Sequence, residues 1–309
     1  MPADFLPTAS LAMLRRRAEL LQAVRRFFDS RGFLEVETPL LSHDTVVDRH
    51  LDPIPVTQFK DSRQHDQGEK LWLQTSPEFG MKRLLAAYGE VGRGSPDTAL
   101  SAMYQITRAF RGGAETGPLH NPEFTIVEWY RVGDDYSAGM QLLSDLAESI
   151  LGRGPAVRLT YRDAFHRHAG FDPFHPVAKP PISPSLPPDA DSDLILDHWL
   201  TTEVEPHLGR DGPTILYDYP ASQSALARIR PGNPPIAERF ELYVKGIELA
   251  NGYHELLDPA VLRERNRINN QHRAADGKFP AGQLAISPKG VWQVTSDGRS
   301  DRSLICHAV

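Results

Sequence analysis

The sequence predicts an α+β fold, an antiparallel sheet built from hairpins with helices gathered outside it. Three observations predict it. β-rich runs at 104–111 and 124–131 flank a short polar loop, the pattern of a hairpin. Helix-period stripes stand apart at 10–30, 136–151 and 259–275. Strands and helices do not alternate in the βαβ order that a parallel sheet needs.

Taken in order, residues 10–30 place Leu11, Leu14, Ala18, Leu21, Val24 and Phe28 every three or four positions. That stripe makes one amphipathic helix of about six turns. Ser10 is its N-cap, and Gly32 ends it, because glycine accepts a left-handed C-terminal conformation at little cost. Arg15, Arg16, Arg17, Arg25 and Arg26 fill its other faces, as a solvated surface or as a docking site for an acidic partner. Residues 33–41 read as a strand broken at Thr38-Pro39, and 71–74 as a short strand. Ser76-Pro77-Glu78 opens a helix through Leu85, with Pro77 tolerated in its first turn.

Residues 89–97 are turn-rich and form a loop. Between Pro173 and Pro188 there are seven prolines, so a surface loop is expected over 172–192. Residues 192–204 read as a capped helix and 214–219 as a strand. Further strands lie within 239–257, and a charged helix over 259–275 stops at Gly277.

The chain has 309 residues, enough to bury a continuous core. Lys and Arg number 34 against 40 Asp and Glu, a net charge of −6 that does not suit a protein wrapped along a nucleic-acid backbone. The lone cysteine, Cys306, leaves no intrachain disulfide and no cysteine-based zinc site. No run approaches the ~20 apolar residues that cross a bilayer, and the first ten residues lack the order of a signal peptide, so a cytoplasmic protein is expected.

The phosphate-binding loops G-x-x-x-x-G-K-[ST] and G-x-G-x-x-G are absent, as are the G-x-S-x-G elbow and H-E-x-x-H. What remains are polar residues in strand-like sequence. Glu248 and Glu255 lie seven apart around an Asn251-Gly252 turn signal. Carboxylates on apolar strands need cations or donors, and two oxygen ligands suit Mg²⁺ completed by phosphate. A half-exposed hairpin with alternating polar positions is the other reading. Arg111 could cradle a phosphoryl group, with His120 as a second donor and Phe124 as a stacking platform. The alternative is Arg111 paired to a surface carboxylate and Phe124 in the core.

These pieces also carry a resemblance. Arg31-Gly32-Phe33-Leu34-Glu35-Val36-Glu37-Thr38-Pro39 resembles motif 1 of the class II aminoacyl-tRNA synthetases, the helix–strand unit of their dimer interface. Phe110-Arg111 with 120–125 (HNPEFT) and Glu128-Trp129-Tyr130 resembles motif 2 of the lysyl branch, and Thr75-Ser76-Pro77-Glu78 and 246–256 (GIELANGYHEL) complete the match. The resemblance covers about residues 10–280 and implies a class II catalytic core.

Within the branch the chain most resembles the stand-alone ligases that attach β-lysine to elongation factor P. About nine residues precede the first helix, too few for the anticodon-binding barrel of a lysyl-tRNA synthetase, so no tRNA anticodon recognition is expected. The run 220–227 (PASQSALA) and the Trp129-Tyr130 pair point the same way.

The resemblance implies ATP as substrate, Mg²⁺, a homodimer, and no membrane. It implies that Arg111 holds the α-phosphate, that His120 faces the outer phosphates, and that Asn121 and Phe124 contact the nucleotide, with Glu115 and Leu249 also on the ATP side. Glu248 and Glu255 would hold Mg²⁺. Ser76, Pro77, Glu78, Glu128, Tyr130 and Glu255 would surround a dicationic amino substrate, whose charge demands anionic partners. A tRNA-charging enzyme and an inactive dimerising module are the rival readings.

Two departures stand out. Glu115 follows Arg111 by four residues, where the family has two or three, and Leu119 stands where the synthetases usually place another Arg. The second concerns the C-terminal end. Residues 1–283 read as the catalytic domain and 284–309 as an atypical tail, with only Asp301-Arg302 echoing the glycine-rich motif 3. A C-terminally incomplete core is therefore expected, with an exposed sheet edge, no cation opposite the triphosphate, and weakened adenylation.

Overall fold

In the computed structural model of the chain, the described residues are 8–59, 61, 68–89, 99–113, 117–175, 186, 190–279 and 281, with the backbone of 303–308. Most of the expected Pro-rich loop, the 90–98 stretch and Glu115 lie outside them. Helix α1 spans Leu11–Asp29, and the Ser10 hydroxyl accepts from the Met13 amide at 3.3 Å, as an N-cap does. Gly32 follows with φ +75°. Two short strands, β1 (Leu34–Glu35) and β2 (Leu41–Ser42), flank the Thr38-Pro39 break. Then come β3 (Pro55–Phe59), β4 (Gly68–Leu73), α2 (Glu78–Tyr88), β5 (Ala102–Phe110), β6 (Glu123–Val132) and α3 (Tyr136–Leu151).

Strand β7 (Val157–Thr160) and helix α4 (Tyr161–His168) come next, then α5 (Ser192–Trp199), capped by the Asp191 side chain and continued by a π-turn over Leu200–Val204. The last elements are β8 (Thr214–Pro220), β9 (Ile229–Arg230), β10 (Ile236–Val244), β11 (Ile247–His254), α6 (Pro259–Ala275) and β12 (Ser303–Ala308).

The main sheet runs β1-β5-β6-β12-β11-β10-β8-β7, with β9 paired to β10, and β2, β4 and β3 form a separate small sheet. All its pairings are antiparallel except β1 with β5 and β7 with β8 at the two ends. Alternation along β8 sends Ile215 and Tyr217 into one core and Leu216 into another, and Asp218 at positive φ breaks the alternation so that Tyr219 joins Leu216. The first core lies under α1 and α3. There Phe28, fully buried, stacks on Tyr104 at 4.7 Å and tilts against Trp129 at 5.2 Å. Burying such a ring contributes about 1.5–3 kcal/mol. The second core packs α4 and α5 against Tyr219 and Tyr243.

Three expectations are corrected. The hairpin turn lies at Lys245-Gly246, both at positive φ, whereas Asn251-Gly252 sits mid-strand opposite Glu241 and Phe240. Two adjacent left-handed residues match the twist of a tight hairpin, and Gly246 lies so close to the Glu205 and Pro206 backbone that a side chain there would crowd it. The expected open edge is filled: β12 pairs with β6 on one side and β11 on the other. Finally, the α1 stripe is buried only in its second half. Val24, Phe27 and Phe28 are buried, whereas Leu11, Met13, Leu14 and Leu20 are exposed. Among the described residues no helix is long and apolar enough to cross a membrane.

Candidate active site

A cavity of about 410 Å³ opens where the β5–β6 hairpin, the start of α2, β11 and α6 meet. Its rim comes from the loop between β5 and β6. Phe110 pairs with Glu123 at the hairpin end, and Arg111 continues the ladder by donating its amide to Pro122 O at 3.0 Å. Gly117 and His120 close a two-residue turn by exchanging backbone hydrogen bonds. Arg111, His120, Asn121 and Phe124 all line the cavity, and the Arg111 guanidinium lies 5.0 Å from the Phe124 ring centre. A cation over an aromatic face leaves a flat, positively charged wall suited to a nucleotide.

The floor is acidic. Ser76 accepts the Glu78 amide at 3.1 Å, and Pro77 takes the N-cap position, so α2 begins at Glu78. Glu78 and Ser76 line the cavity, and Pro77 does not. Lys82, one turn along α2, bonds Glu78 Oε1 at 2.5 Å and also pairs with Glu255. All three side chains are nearly inaccessible to solvent. Burial works against the Lys82 ammonium, yet Glu255 and Glu78 outweigh it and hold its pKa up. Tyr130 donates to Glu128 at 2.8 Å, and both are fully buried. Burial, then the charges of Glu128, Glu78 and Glu255, push the Tyr130 phenol far up, which places these carboxylates around it.

A second carboxylate group faces the cavity from the β10–β11 side. The register of these strands shifts between Leu242 and Tyr243, leaving Leu249 as an extra residue that packs toward the first core instead of the cavity. One bulged residue turns the odd spacing of Glu248 and Glu255 into an even one, so both project to the face that Asn251 and Tyr253 share. Their fates differ. Glu248 is exposed through the cavity. Glu255 ends on Lys82 and is not part of the lining. The two carboxylates expected to hold one metal ion thus differ in setting: Glu248 opens to the cavity, and Glu255 pairs with Lys82.

Beside Glu248, the cavity receives Glu205, which accepts from Tyr243 at 3.2 Å. Behind them Glu241 accepts from Tyr219 and Tyr243, each at 2.5 Å, and pairs with Arg239. Enclosure, then repulsion from Glu241 and Glu205, push the Glu248 carboxyl up to about 8, with Arg239 opposing. Enclosure and Glu241 push Glu205 up to about 7. Water entering the cavity screens part of this repulsion at Glu248. Neither Glu205 nor Glu248 forms an ion pair among the described residues, and hard oxygen donors around phosphate are what Mg²⁺ takes. Among the described residues no cluster of three or more His, Cys, Asp or Glu is gathered to hold a metal on its own.

Helix α6 builds the remaining wall. Arg273, buried, donates to the Asp48 and Leu51 carbonyls at 2.9 and 2.7 Å and pairs with Asp52 at 3.1 Å, pinning the 46–52 segment that lines the cavity. Arg265 donates to the carbonyls of Ala225 and Ala227 at 2.6 and 2.9 Å, fixing the 220–227 run. Thr75 Oγ1 and Asn266 Nδ2, in residues that line the cavity, are buried without a partner among the described residues. Such atoms are costly unless a polar ligand satisfies them.

Of the residues expected at a site, Arg111, His120, Asn121, Phe124, Ser76, Glu78 and Glu248 share this cavity. Pro77, Glu128, Tyr130, Leu249 and Glu255 stand outside its lining, and Glu115 is not among the described residues. The sequence reading missed Glu205, Asn251, Tyr253, Arg265 and Asn266. For Asn251 and Tyr253 a signal existed, since they alternate with apolar residues along one strand face. For Glu205, in a short 3₁₀ turn, and for α6 there was none.

The family described as class II tRNA synthetases (D, K and N) matches residues 3–281. The elongation factor P–(R)-β-lysine ligase of Vibrio vulnificus strain YJ016 is 44% identical over 288 residues, 91% of this chain and 85% of that protein. The ligases of the same name from Vibrio cholerae serotype O1 and Salmonella arizonae are each 43% identical over 283 residues, 89% of this chain and 83% of theirs.

Proposed function

The chain belongs to the class II tRNA synthetases of the D, K and N group, and on that premise we propose that it is an ATP-dependent ligase that activates (R)-β-lysine as an adenylate and transfers it to a lysine side chain of elongation factor P. One observation carries the reading: a guanidinium-and-aromatic rim, Arg111 and Phe124, and an acidic floor at Glu78 line one cavity. The rim suits ATP, and the floor suits an amino substrate with two ammonium groups.

In the first step an oxygen of the substrate carboxylate attacks the α-phosphorus, the bond to the β-phosphate breaks, and pyrophosphate leaves. No side-chain nucleophile is needed; positioning and charge stabilisation do the work. Arg111 neutralises charge developing on the α-phosphate, Phe124 supports the base, and His120 and Asn121 reach the nucleotide from the exposed rim. Glu78 binds a substrate ammonium and fixes the carboxylate's approach. Glu128 and Tyr130 set the negative field behind it. In the second step the acceptor amine attacks the carbonyl carbon, AMP leaves, and an amide forms. Glu248, with Glu205 beside it, would hold Mg²⁺, which supplies charge neutralisation of the phosphates when bound.

The exposed apolar residues along the first half of α1, Leu11, Met13, Leu14 and Leu20, support a homodimer through this helix. The test of the function is ATP–pyrophosphate exchange with (R)-β-lysine or lysine, followed by transfer to elongation factor P or to tRNA. β-Lysine-dependent exchange and a mass gain of one β-lysyl group on elongation factor P are expected. Charging of tRNA instead, or no exchange, would overturn the reading.

A further inference from the structure

We propose that Lys82 is a positioning residue for the cationic amino substrate, an inference that rests on the adenylation reading above. Its ammonium lies between two carboxylates from different parts of the chain. Glu78 is in the first turn of α2, four residues earlier, and Glu255 follows the end of β11, where it bridges Ala227. An i, i+4 pair on a helix brings two side chains together on one face. Here that pair is buried and joined by a third group, so α2 is tied to the end of β11 through one cation.

Burial makes this arrangement consequential. Glu78, Glu128 and Glu255 are each at most 3% exposed, and all three act on Tyr130. Three buried carboxylates cannot stand uncompensated. Arg265, the other cation near Glu255, has donors committed to the Ala225 and Ala227 carbonyls. Lys82 bonds both Glu78 and Glu255. By holding Oε1 of Glu78 at 2.5 Å, Lys82 also fixes the orientation in which that carboxylate meets the ligand.

The test separates this role from simple charge balance. Glu255→Gln keeps the Lys82–Glu78 pair. Lys82→Met with Glu255→Gln removes one positive and one negative charge together, so the net charge of the floor is unchanged, and urea unfolding checks that the paired variant is folded. Substrate dependence of ATP–pyrophosphate exchange is then measured for the wild type and both variants. The expected result is a KM for the amino substrate at least about tenfold higher in the paired variant than in Glu255→Gln, with KM for ATP unchanged, as loss of a hydrogen bond to a charged group predicts. Equal amino-substrate KM values in the two variants, with the wild type active, would overturn the role of Lys82 alone. An inactive wild-type chain would instead overturn the functional reading beneath it.

Discussion

Two groups of carboxylates border the same cavity and are treated oppositely by the fold. On the floor, Glu78 and Glu255 are buried and share the ammonium of Lys82. On the β10–β11 side, Arg239 is committed to Glu241, while Glu205 and Glu248 face the cavity with raised pKa values. The difference is where the cation comes from. The floor carries its own and is finished as a shape before any ligand arrives. The upper pair has only Arg239 nearby among the described residues, and that guanidinium is bonded to Glu241, so an entering cation would relieve its repulsion. A site proposed to hold a dicationic amino acid rigidly and a metal-bound triphosphate reversibly would use both kinds.

The strongest way to break this contrast is to take the cation from the floor. Lys82→Met alone removes the ammonium that buried Glu78 and Glu255 share and is expected to cost about 3–5 kcal/mol of stability, read from urea unfolding. A loss below about 1 kcal/mol would show that the floor carries no strong pairing.

The upper pair should respond with the opposite sign. Folded Glu248 and Glu205 hold protons up to about 8 and about 7, whereas unfolded glutamates release them near the ordinary value of 4.5. Between those limits the folded state binds more protons, so stability falls as pH rises from about 5 to 8. Thermal midpoints measured over that range should decline for the wild type and decline less in Glu248→Gln. Added Mg²⁺ with ATP should flatten the wild-type slope. A wild-type slope that Glu248→Gln leaves untouched would place the repulsion elsewhere.

The smallest effect lies far from the cavity and serves as its control. Ser10→Ala removes the α1 N-cap and should cost about 1 kcal/mol without changing the pH slope, by the same thermal measurement.

The sequence made the hairpins legible because alternation and loop chemistry are local. The strands at 102–110 and 123–132, helix α3 and helix α6 emerge within two residues of where periodicity puts them. Asn251-Gly252 misled because a strong turn signal can sit mid-strand when ladder pairing holds it there, as it does opposite Glu241 and Phe240. The pairing of Glu255 with Lys82 was not legible, since that cation lies more than 160 residues away along the chain. Nor does composition alone place 303–308 between β6 and β11, because a strand inserted between distant partners leaves no local pattern. Motif-scale resemblance supplied what periodicity could not: that Arg111 and Glu248 meet.

That meeting is tested most directly by a double-mutant cycle on MgATP binding, using wild type, Arg111→Ala, Glu248→Gln and the double variant in calorimetric titrations. If both side chains act on one triphosphate, the double variant loses less than the sum of the singles, with a coupling of about 0.5–3 kcal/mol. Losses that simply add would mean that the guanidinium and the carboxylate serve separate ligands, and the account of one shared site would be contradicted.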